Sequence, residues 1–397
     1  SATADDTATN NNAGPGDTWT SVTVSGADVS NVNFGFAYNL IVNTNTSGQG
    51  SLRQFITNAN AIGSANGTTA NYSEFAVPIG DLTAGVAVIE PTAALPLPAI
   101  TDAGTTIDGT TQTDNIDNTN AAVFGTGGTV GVDGLLLSQF NGPEVEIRDA
   151  GGLLIGLHAQ ANDTTFRGLA MLGFGSTNGE GAIIIASGYT GTLVEQNVIG
   201  SSATSFTDPG ASLRNYAGFE SVGGDNGTVQ DNLFGFSHRG VFLTNGSTGW
   251  TVEGNEIVDH ELESEDGDGI AISSSSNNTI RGNLITGSSS QGLVVTDSSA
   301  INFINNTLTG NGVGSTTAVS QSAAITMRNT ASDVDITKNI VRLNYGAGIQ
   351  VNPSATLITI SQNSFADNGT ITSRPPASLA ATGQIGIDLN ESGDNLN

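Results

Sequence analysis

A short pattern ending in asparagine recurs along the second half of the sequence and limits the fold more than any other feature. In each copy an apolar residue is followed by two variable residues and then by asparagine, at Asn197, Asn232, Asn255, Asn283, Asn306, Asn339 and Asn363. The shortest step between copies is 23 residues, and the longer steps fit the same unit with inserted loops. A unit this short cannot fold alone, so it has to bury its apolar residues against the next unit.

Each unit also contains a glycine followed by apolar residues, as in Gly240–Leu243 and Gly269–Ile272. Strands this short form a stable sheet only when each one pairs with the equivalent strand of the next unit. This predicts an all-β solenoid, a parallel β-helix over residues 73–397 with coils ~4.8 Å apart. A β-propeller is the main rival architecture, but it needs roughly 40–50 residues per blade.

The column of seven asparagines has a structural interpretation. Asparagine tolerates the left-handed backbone conformation that a sharp corner between strands requires. Stacked amide side chains also hydrogen-bond along the solenoid axis and satisfy the buried backbone of the corners. We therefore interpret the column as a structural ladder, and the alternative is a row of polar contacts to a ligand.

The residues before the first coil predict a cap. Ser51 and Gln54 form a capping-box pattern, and the apolar residues that follow lie on one helical face. We expect a helix from 51 to about 61 over the first coil, within a segment 51–72 that contains the capping helix and a linker. A solenoid needs such a cap because its terminal coil exposes apolar core and unpaired strand edges.

Residues 1–50 are predicted to form an N-terminal extended strand segment. Its apolar residues alternate with smaller or polar ones, at Val32, Phe34, Phe36, Tyr38, Leu40 and Val42. This strand either lies along the flank of the β-helix or adds to a sheet edge of another subunit or domain. The C-terminal end is polar and shows no cap, so head-to-tail stacking into a filament is one interpretation, and a cleaved or truncated chain is the other.

The charge balance excludes several classes of partner. Ten Lys and Arg residues stand against 37 Asp and Glu residues, which gives a net charge of −27, and Lys338 is the one lysine. Nucleic acids and anionic membranes would repel such a chain. No apolar run reaches the ~18 residues of a membrane span, so we expect no membrane insertion. The absence of cysteine removes disulfides and thiolate chemistry.

One acidic loop is a candidate calcium site, and no other cofactor is expected. It contains Asp259, Glu261, Glu265, Asp266 and Asp268, and Ca²⁺ prefers carboxylate oxygens of this kind. The loop lacks the spacing of an EF-hand, so a solvated surface loop explains the same residues.

The same region holds the fallback catalytic residues, namely Asp266, Asp268 and His238, with Asp231 and Arg239 on neighbouring coils. A glycosidase needs two suitably spaced carboxyl groups, and adjacent coils can supply them. The catalytic pattern of polygalacturonases is not present in the sequence. The net negative charge also disfavours an acidic polymer as substrate. Whether the chain is an enzyme stays open, with a non-catalytic role preferred.

Several segments resemble known proteins. The segments Gly50–Phe55 and Ile100–Gln112, together with the asparagine repeats, resemble β-helix regions of large bacterial extracellular surface proteins. The segment Val22–Val29, continued by Asn33–Phe36, resembles the last strands of a prealbumin-like B repeat of the serine–aspartate adhesin kind. The resemblance implies a right-handed single-stranded parallel β-helix, exposed at the cell surface and serving adhesion or matrix structure.

Three functions follow as hypotheses. The first is a secreted or cell-surface structural protein, adhesin-like or a filament subunit joined head to tail by addition of the N-terminal strand. The second is a polysaccharide-active hydrolase or lyase, and the third is a glycan-binding β-helix. The expected partners are further copies of the chain or a neighbouring domain, with glycans as the alternative, in an extracellular location.

Overall fold

The computed structural model describes residues 37–62, 70–149, 151–260, 267–314, 323–375 and 378–389. Within them the chain winds into stacked coils whose strands form three long parallel sheets. Each coil crosses sheet 1, turns at a first corner into sheet 2, turns at a second corner into sheet 3 and returns through a third corner. The all-β solenoid predicted from the repeats is confirmed as a parallel β-helix.

The strands are short, as the repeat unit requires. Sheet 1 contains Thr106–Asp108, Thr165–Arg167, Leu193–Glu195, Thr228–Gln230, Thr251–Glu253, Thr279–Arg281, Ser299–Ile304, Ser332–Thr337 and Thr356–Ser361. Sheet 2 contains Ala87–Ile89, Val145–Arg148, Leu169–Leu172, Val198–Ile199, Leu233–Gly235, Glu256–Val258, Leu284–Thr286, Thr307–Thr309, Ile340–Arg342 and Ser364–Ala366. Sheet 3 contains Ile155–Ala159, Gly181–Ile185, Ala217–Val222, Arg239–Thr244, Asp268–Ser273, Leu293–Thr296, Ile325–Arg328, Ile349–Val351 and Ile387–Leu389.

Side chains that point inward from the three sheets fill one apolar interior. Like residues stack from coil to coil, so that Phe166, Val194, Val229 and Val252 form one continuous column. Each of these four side chains is completely buried. Because a single coil would leave its column partners exposed, the coils depend on one another for stability.

The predicted capping helix is present as α1, Leu52–Ile62. The Ser51 hydroxyl accepts a hydrogen bond from the Gln54 backbone N–H at 3.2 Å, which is the N-cap contact expected from the sequence. Leu52, Phe55, Ile56 and Ala59 on one face of the helix are buried against the solenoid core. Their burial covers apolar surface that the first coil would otherwise expose.

The predicted assembly strand is described only in part. Val32, Phe34 and Phe36 lie outside the described residues, as do the segments that resemble a B repeat. Leu40–Ile41 forms a two-residue strand that pairs in parallel with Glu74–Phe75 of the same chain. Ile41 is completely buried in the apolar interior, so the described part of the segment adds a short strand to the first coil of its own chain, and addition of the remaining segment to another subunit stays a prediction.

One long insertion leaves the solenoid between the first coils and lies along its outside. It follows the short helix α2, Thr111–Ile116, and its strands Val123–Phe124 and Phe140–Asn141 pair antiparallel, as do Thr129–Val130 and Leu135–Leu136. We call residues 123–141 the axial hairpin. Its Thr126 N–H donates to Glu256, and near its tip Val132 N–H donates to the Lys338 carbonyl at 2.8 Å. The hairpin therefore spans most of the coils.

The seven asparagines of the repeat stand at the first corner and hydrogen-bond to one another in sequence. The backbone N–H and Nδ2 of Asn232 both donate to Oδ1 of Asn255, at 3.0 and 2.9 Å, and the same pair of bonds joins Asn197 to Asn232 and Asn255 to Asn283. The ladder continues through Asn306, Asn339 and Asn363. Each Nδ2 also donates to a carbonyl of the preceding coil, as from Asn255 to Val229 at 2.8 Å.

One detail of the ladder differs from the expectation. The left-handed residue of each corner precedes the asparagine and is Gln196, Asp231, Gly254, Gly282, Asn305, Lys338 or Gln362. The asparagines themselves have ordinary backbone angles, because their role is to point inward and bond along the axis rather than to make the turn. A shorter second ladder at the second corner joins Asn311, Asn344 and Asn368.

Candidate functional site

The outer face of sheet 3 concentrates polar and aromatic side chains that the solenoid does not need for its own stacking. In each strand of this sheet the alternation of side chains is interrupted at a glycine, as at Gly240, which faces the interior together with Val241. One outward column aligns Ile184, Glu220, Phe242, Ala271, Val294 and Thr326. A second column places Ala217, Arg239 and Asp268 next to it. We call the surface around Glu220, Arg239 and Asp268 the sheet 3 strip.

Arg239 occupies the centre of the sheet 3 strip. Its Nε lies 4.0 Å from Oδ2 of Asp268, and its Nη1 donates to Oδ1 of Asn178 at 2.7 Å. The guanidinium carbon stands 4.7 Å from the ring centroid of Phe242 and 5.7 Å from that of Tyr216. The Nε atom is buried without a hydrogen-bond partner. A guanidinium held between aromatic faces and carboxylates is rigid and ready to donate to a ligand.

Glu220 lies one coil before Arg239, beside Phe242 in the outward column, and is 1% exposed. Its Oε2 accepts a hydrogen bond from the Gly179 backbone N–H at 2.9 Å. Burial raises the pKa of Glu220 to about 7, although the Gly179 N–H and the Arg239 charge act in the opposite direction. A pKa this far above the ordinary value is uncommon for glutamate and typical of functional sites.

Asp268 completes the charged group. Burial raises its pKa, and the positive charges of Arg239 and Arg328 oppose that rise. Its Oδ1 accepts a hydrogen bond from the Gln291 backbone N–H at 3.2 Å. The strip thus holds one cation between two carboxyl groups whose ionisation is costly in the folded state.

An aromatic pair forms the partly exposed edge of the sheet 3 strip. The rings of Tyr216 and His238 stack with centroids 4.5 Å apart and an angle of 24° between their planes. The Tyr216 hydroxyl donates to the same Asn178 oxygen that Arg239 binds, at 2.9 Å. Tyr216, His238 and Arg239 are all half-buried, so their outer edges face solvent. A flat ring beside charged donors offers both an apolar surface and directed hydrogen bonds.

Two more buried polar atoms without partners lie further along the same face. Gln291 is completely buried and its Nε2 has no hydrogen-bond partner. Thr326 is 1% exposed, and its Oγ1 is likewise unpaired. Buried polar groups in native proteins are nearly always paired, so the strip departs from the pattern of the first corner.

The sequence-predicted site residues separate into two groups. His238 and Asp268 do lie together with Arg239 on the sheet 3 strip. Asp259 lies instead at the second corner, where it forms an ion pair with Arg374. Asp231 lies at the first corner and accepts a hydrogen bond from the Ser138 hydroxyl at 3.0 Å. Glu261, Glu265 and Asp266 lie outside the described residues.

The described residues give the predicted calcium site no support. Asp259 and Asp268 have different partners, an arginine in each case. Within the ranges that the structure describes, no three His, Asp or Glu side chains form a group that could hold a metal ion. Calcium binding by the loop therefore stays a prediction.

Sequence reasoning missed Glu220 and Tyr216. Glu220 stands in an apolar strand, Ala217–Val222, where a carboxylate has no structural purpose. Aligning the strands of sheet 3 by their glycines would have placed Glu220 in a column with the apolar Ile184 and Phe242. A carboxylate in such a column is the signal that the sequence offers. Tyr216 carried no signal, because it lies just before its strand and outside the repeat.

A comparison with protein families settles the fold family. The model of the right-handed β-helix region matches residues 100–331, which is more than half of the chain. The chain belongs to the right-handed β-helix family. The resemblance noted in the sequence is thereby confirmed for the β-helix, and the handedness expected from it is confirmed as well.

Solved structures with a similar β-helix include an epimerase module, a surface adhesin and a tailspike protein. The mannuronan C-5 epimerase AlgE4 A-module of Azotobacter vinelandii is 11% identical, with a TM-score of 0.46, and the match covers 89% of this chain and 96% of that one. The surface adhesin PfbA of Streptococcus pneumoniae is 13% identical, with a TM-score of 0.44 and coverage of 83% and 90%. The Dettilon tailspike protein is 12% identical, with a TM-score of 0.48 and coverage of 88% and 67%. Such low identities say nothing about activity.

No curated protein sequence matches the chain. Among the described helices, none has the length and apolar character needed to cross a membrane.

Proposed function

We propose that this β-helix protein is an extracellular carbohydrate-binding protein and that the sheet 3 strip is its binding surface. The observation that carries the proposal is the arrangement around Arg239. One guanidinium lies between two buried carboxyl groups and beside the half-exposed Tyr216–His238 ring pair. Sugars present apolar C–H faces and many hydroxyl groups, and this arrangement offers a ring for the first and charged hydrogen-bonding groups for the second.

The charge of the protein narrows the class of carbohydrate. The net charge of −27 disfavours acidic polymers at long range. Near the strip, Arg239 is already paired with Asp268, so it provides a directed donor rather than a free positive charge. We therefore propose neutral glycans as ligands.

A glycan array of neutral and acidic oligosaccharides tests this function. We expect the wild type to bind neutral glycans and Tyr216→Ala to lose about tenfold in affinity, which corresponds to the contribution of one ring. Tyr72→Ala is the matched control, because Tyr72 is 57% exposed on the first coil, far from the strip. Binding of no neutral glycan, or equal losses in the two variants, would contradict the proposal.

Catalysis on the bound glycan is the second hypothesis for the same site. The raised pKa of Glu220 is typical of a general acid, but the side chain is 1% exposed, so we place binding before catalysis. Incubation with the array-selected glycan, followed by assays for new reducing ends and for unsaturated products, separates the two. Product formation that is lost in Glu220→Gln would assign an enzyme.

Self-association is a candidate that a different observation favours. In the last described coil Ile358, Ile360 and Phe365 are only half-buried, whereas the equivalent Ile336 and Val341 one coil earlier are completely buried. A further strand layer from a second copy would cover this apolar surface. Because α1 covers the first coil, head-to-tail joining would have to bypass that helix.

Light scattering across a concentration series measures this association. We expect Phe365→Ser to lower the apparent mass at a given concentration, while Leu357→Ser does not, since Leu357 is 77% exposed and points away from the core. A wild type that stays monomeric throughout the series would exclude association through this coil.

A further inference from the structure

A groove runs along the first corner, between the axial hairpin and the outer face of sheet 1. Its near part is a cleft of about 420 Å³ lined by α2, the base of the hairpin and the corner residues Gly168 and Gln196. Its far part is a cleft of about 320 Å³ lined by Leu135 and Leu136 of the hairpin and by the corner residues Asp231, Gly254 and Gly282. The five corner residues belong to successive coils, so the two clefts follow one line parallel to the solenoid axis.

The two walls of this corner groove differ in chemistry. On the hairpin wall, the polar Gln139 and Asn141 lie beside exposed aliphatic side chains, with Leu136 79% exposed, Val123 60% and Leu135 40%. These side chains are turned away from the hairpin's own packing on sheet 2, where Phe124 is buried against Ala170 and Val198. A row of exposed aliphatic side chains on a monomeric surface is costly unless something binds there.

The sheet 1 wall of the far cleft carries the carboxylates of Asp231 and Glu253 and the guanidinium of Arg281. Arg281 donates to Glu253 at 2.5 Å, and Arg167 forms an ion pair with Glu195, so these two carboxylates are already paired. Asp231 has no cationic partner among the described residues and accepts only the Ser138 hydroxyl. Burial raises its pKa, and the charges of Glu253 and Glu195 raise it further, because carboxylates are crowded at this point without enough positive charge.

We propose that the corner groove binds an extended polypeptide segment in which basic and aliphatic side chains alternate. An extended strand points alternate side chains to opposite sides, so one set would reach Leu135 and Leu136 while the other reaches Asp231. Aliphatic contacts on one wall and charge complementarity on the other distinguish this ligand from the neutral glycan proposed for the sheet 3 strip. The two sites lie on different sheets and are independent.

The length of the groove sets the length of the segment. From Gly168 to Gly282 the corner rises by four coils, which is about 19 Å at ~4.8 Å per coil. An extended chain of about six residues has the same length. Shorter segments would fill only one of the two clefts.

Fluorescence anisotropy with a labelled octapeptide tests the proposal on the intact protein. The probe is Gly-Leu-Lys-Leu-Lys-Leu-Lys-Gly, and a second peptide carries glutamate in place of each lysine. We expect binding of the lysine peptide only, and a loss of about tenfold with Asp231→Asn and with Leu136→Ser.

Two matched controls separate the groove from general attraction to an acidic protein. Asp333→Asn removes the same charge from a residue with the same left-handed angle, φ 53° for both Asp231 and Asp333. Leu357→Ser removes an equally exposed leucine at the last coil. Weak effects of both controls would support the groove. Failure of the lysine peptide to bind, or equal losses in groove and control variants, would overturn it, and either result leaves the glycan proposal untouched.

Discussion

Buried polar groups are paired at the first corner, whereas several of them lack a hydrogen-bond partner on the sheet 3 strip. At the corner each asparagine from Asn232 to Asn339 donates to the next coil and to a carbonyl of the preceding one, so its side-chain amide is paired along the axis. On the strip, Arg239, Gln291 and Thr326 each bury a polar atom without a partner, and Glu220 has a pKa near neutrality. Both regions belong to the same coils and the same repeat.

The difference teaches where the solenoid needs its polar residues and where it does not. A corner exposes backbone N–H and C=O groups to the core, so a paired amide there stabilises every coil. The outer face of a sheet has no such requirement, and apolar or small residues would serve it better. Polar groups that remain there at a cost in stability are therefore the better indication of a binding surface.

The largest expected effect is at the ladder. Asn255→Ala would leave the N–H and Nδ2 of Asn232 without their common acceptor and would remove the side-chain donor to the Val229 carbonyl, all in a buried corner. We expect a loss of about 3–5 kcal/mol in the free energy of unfolding, measured by urea titration.

Asn363→Ala is the control. Asn363 is half-buried at the last coil, where water can replace the lost hydrogen bonds, so we expect a loss of about 1 kcal/mol in the free energy of unfolding. Equal effects at the two positions would contradict the ladder as the source of stability.

The second prediction concerns Glu220, whose replacement is expected to stabilise the protein rather than destabilise it. The pKa of Glu220 in the folded protein, about 7, lies above its ordinary value of 4.5, so the folded state holds a proton that the unfolded state releases between these pH values. The stability of the wild type should therefore fall as the pH rises through this window, by roughly 3 kcal/mol in total.

Glu220→Gln removes that cost. We expect the variant to be close to wild type in melting temperature at pH 5 and clearly more stable at pH 8. Asp333→Asn, which removes an exposed carboxylate, should not change the pH dependence. A Glu220→Gln variant that is less stable than wild type at pH 8 would show that the carboxylate supports the fold.

The smallest effect compares two buried threonines. Thr326→Val removes an unpaired hydroxyl and should leave the stability unchanged or raise it by about 1 kcal/mol. Thr164→Val should lower it by about 1–2 kcal/mol, because the Thr164 and Thr192 hydroxyls bond to each other at 3.0 Å in the buried third corner. Urea midpoints of the two variants measure this difference in stability. A shift of the same sign in both midpoints would contradict the prediction.

The repeat made much of the fold predictable. An apolar residue three positions before each asparagine sets the inward column and the corner together, and Ser51 with Gln54 marks the cap. The axial hairpin was not predictable, since its residues follow no repeat and its contacts join positions as distant as Asp133 and Lys338. Local sequence carries no signal for such a contact.

The site was predictable in part from the stacking of neighbouring coils. His238 and Arg239 lie one coil before Asp268, and the structure places the three together as the stacking predicts. Asp259 belongs to the same acidic loop in the sequence, but it lies at the second corner and pairs there with Arg374. A loop that crosses a corner sends its two ends to different sheets, which spacing along the chain does not reveal.

The most direct test of the central claim is hydrogen–deuterium exchange with and without the neutral glycan selected on the array. We expect added protection in residues 175–180 and 216–220 and in 238–242 around Arg239, with none at the first corner or along the axial hairpin. Protection confined to the hairpin or to the corners would contradict the assignment of the sheet 3 strip as the binding surface.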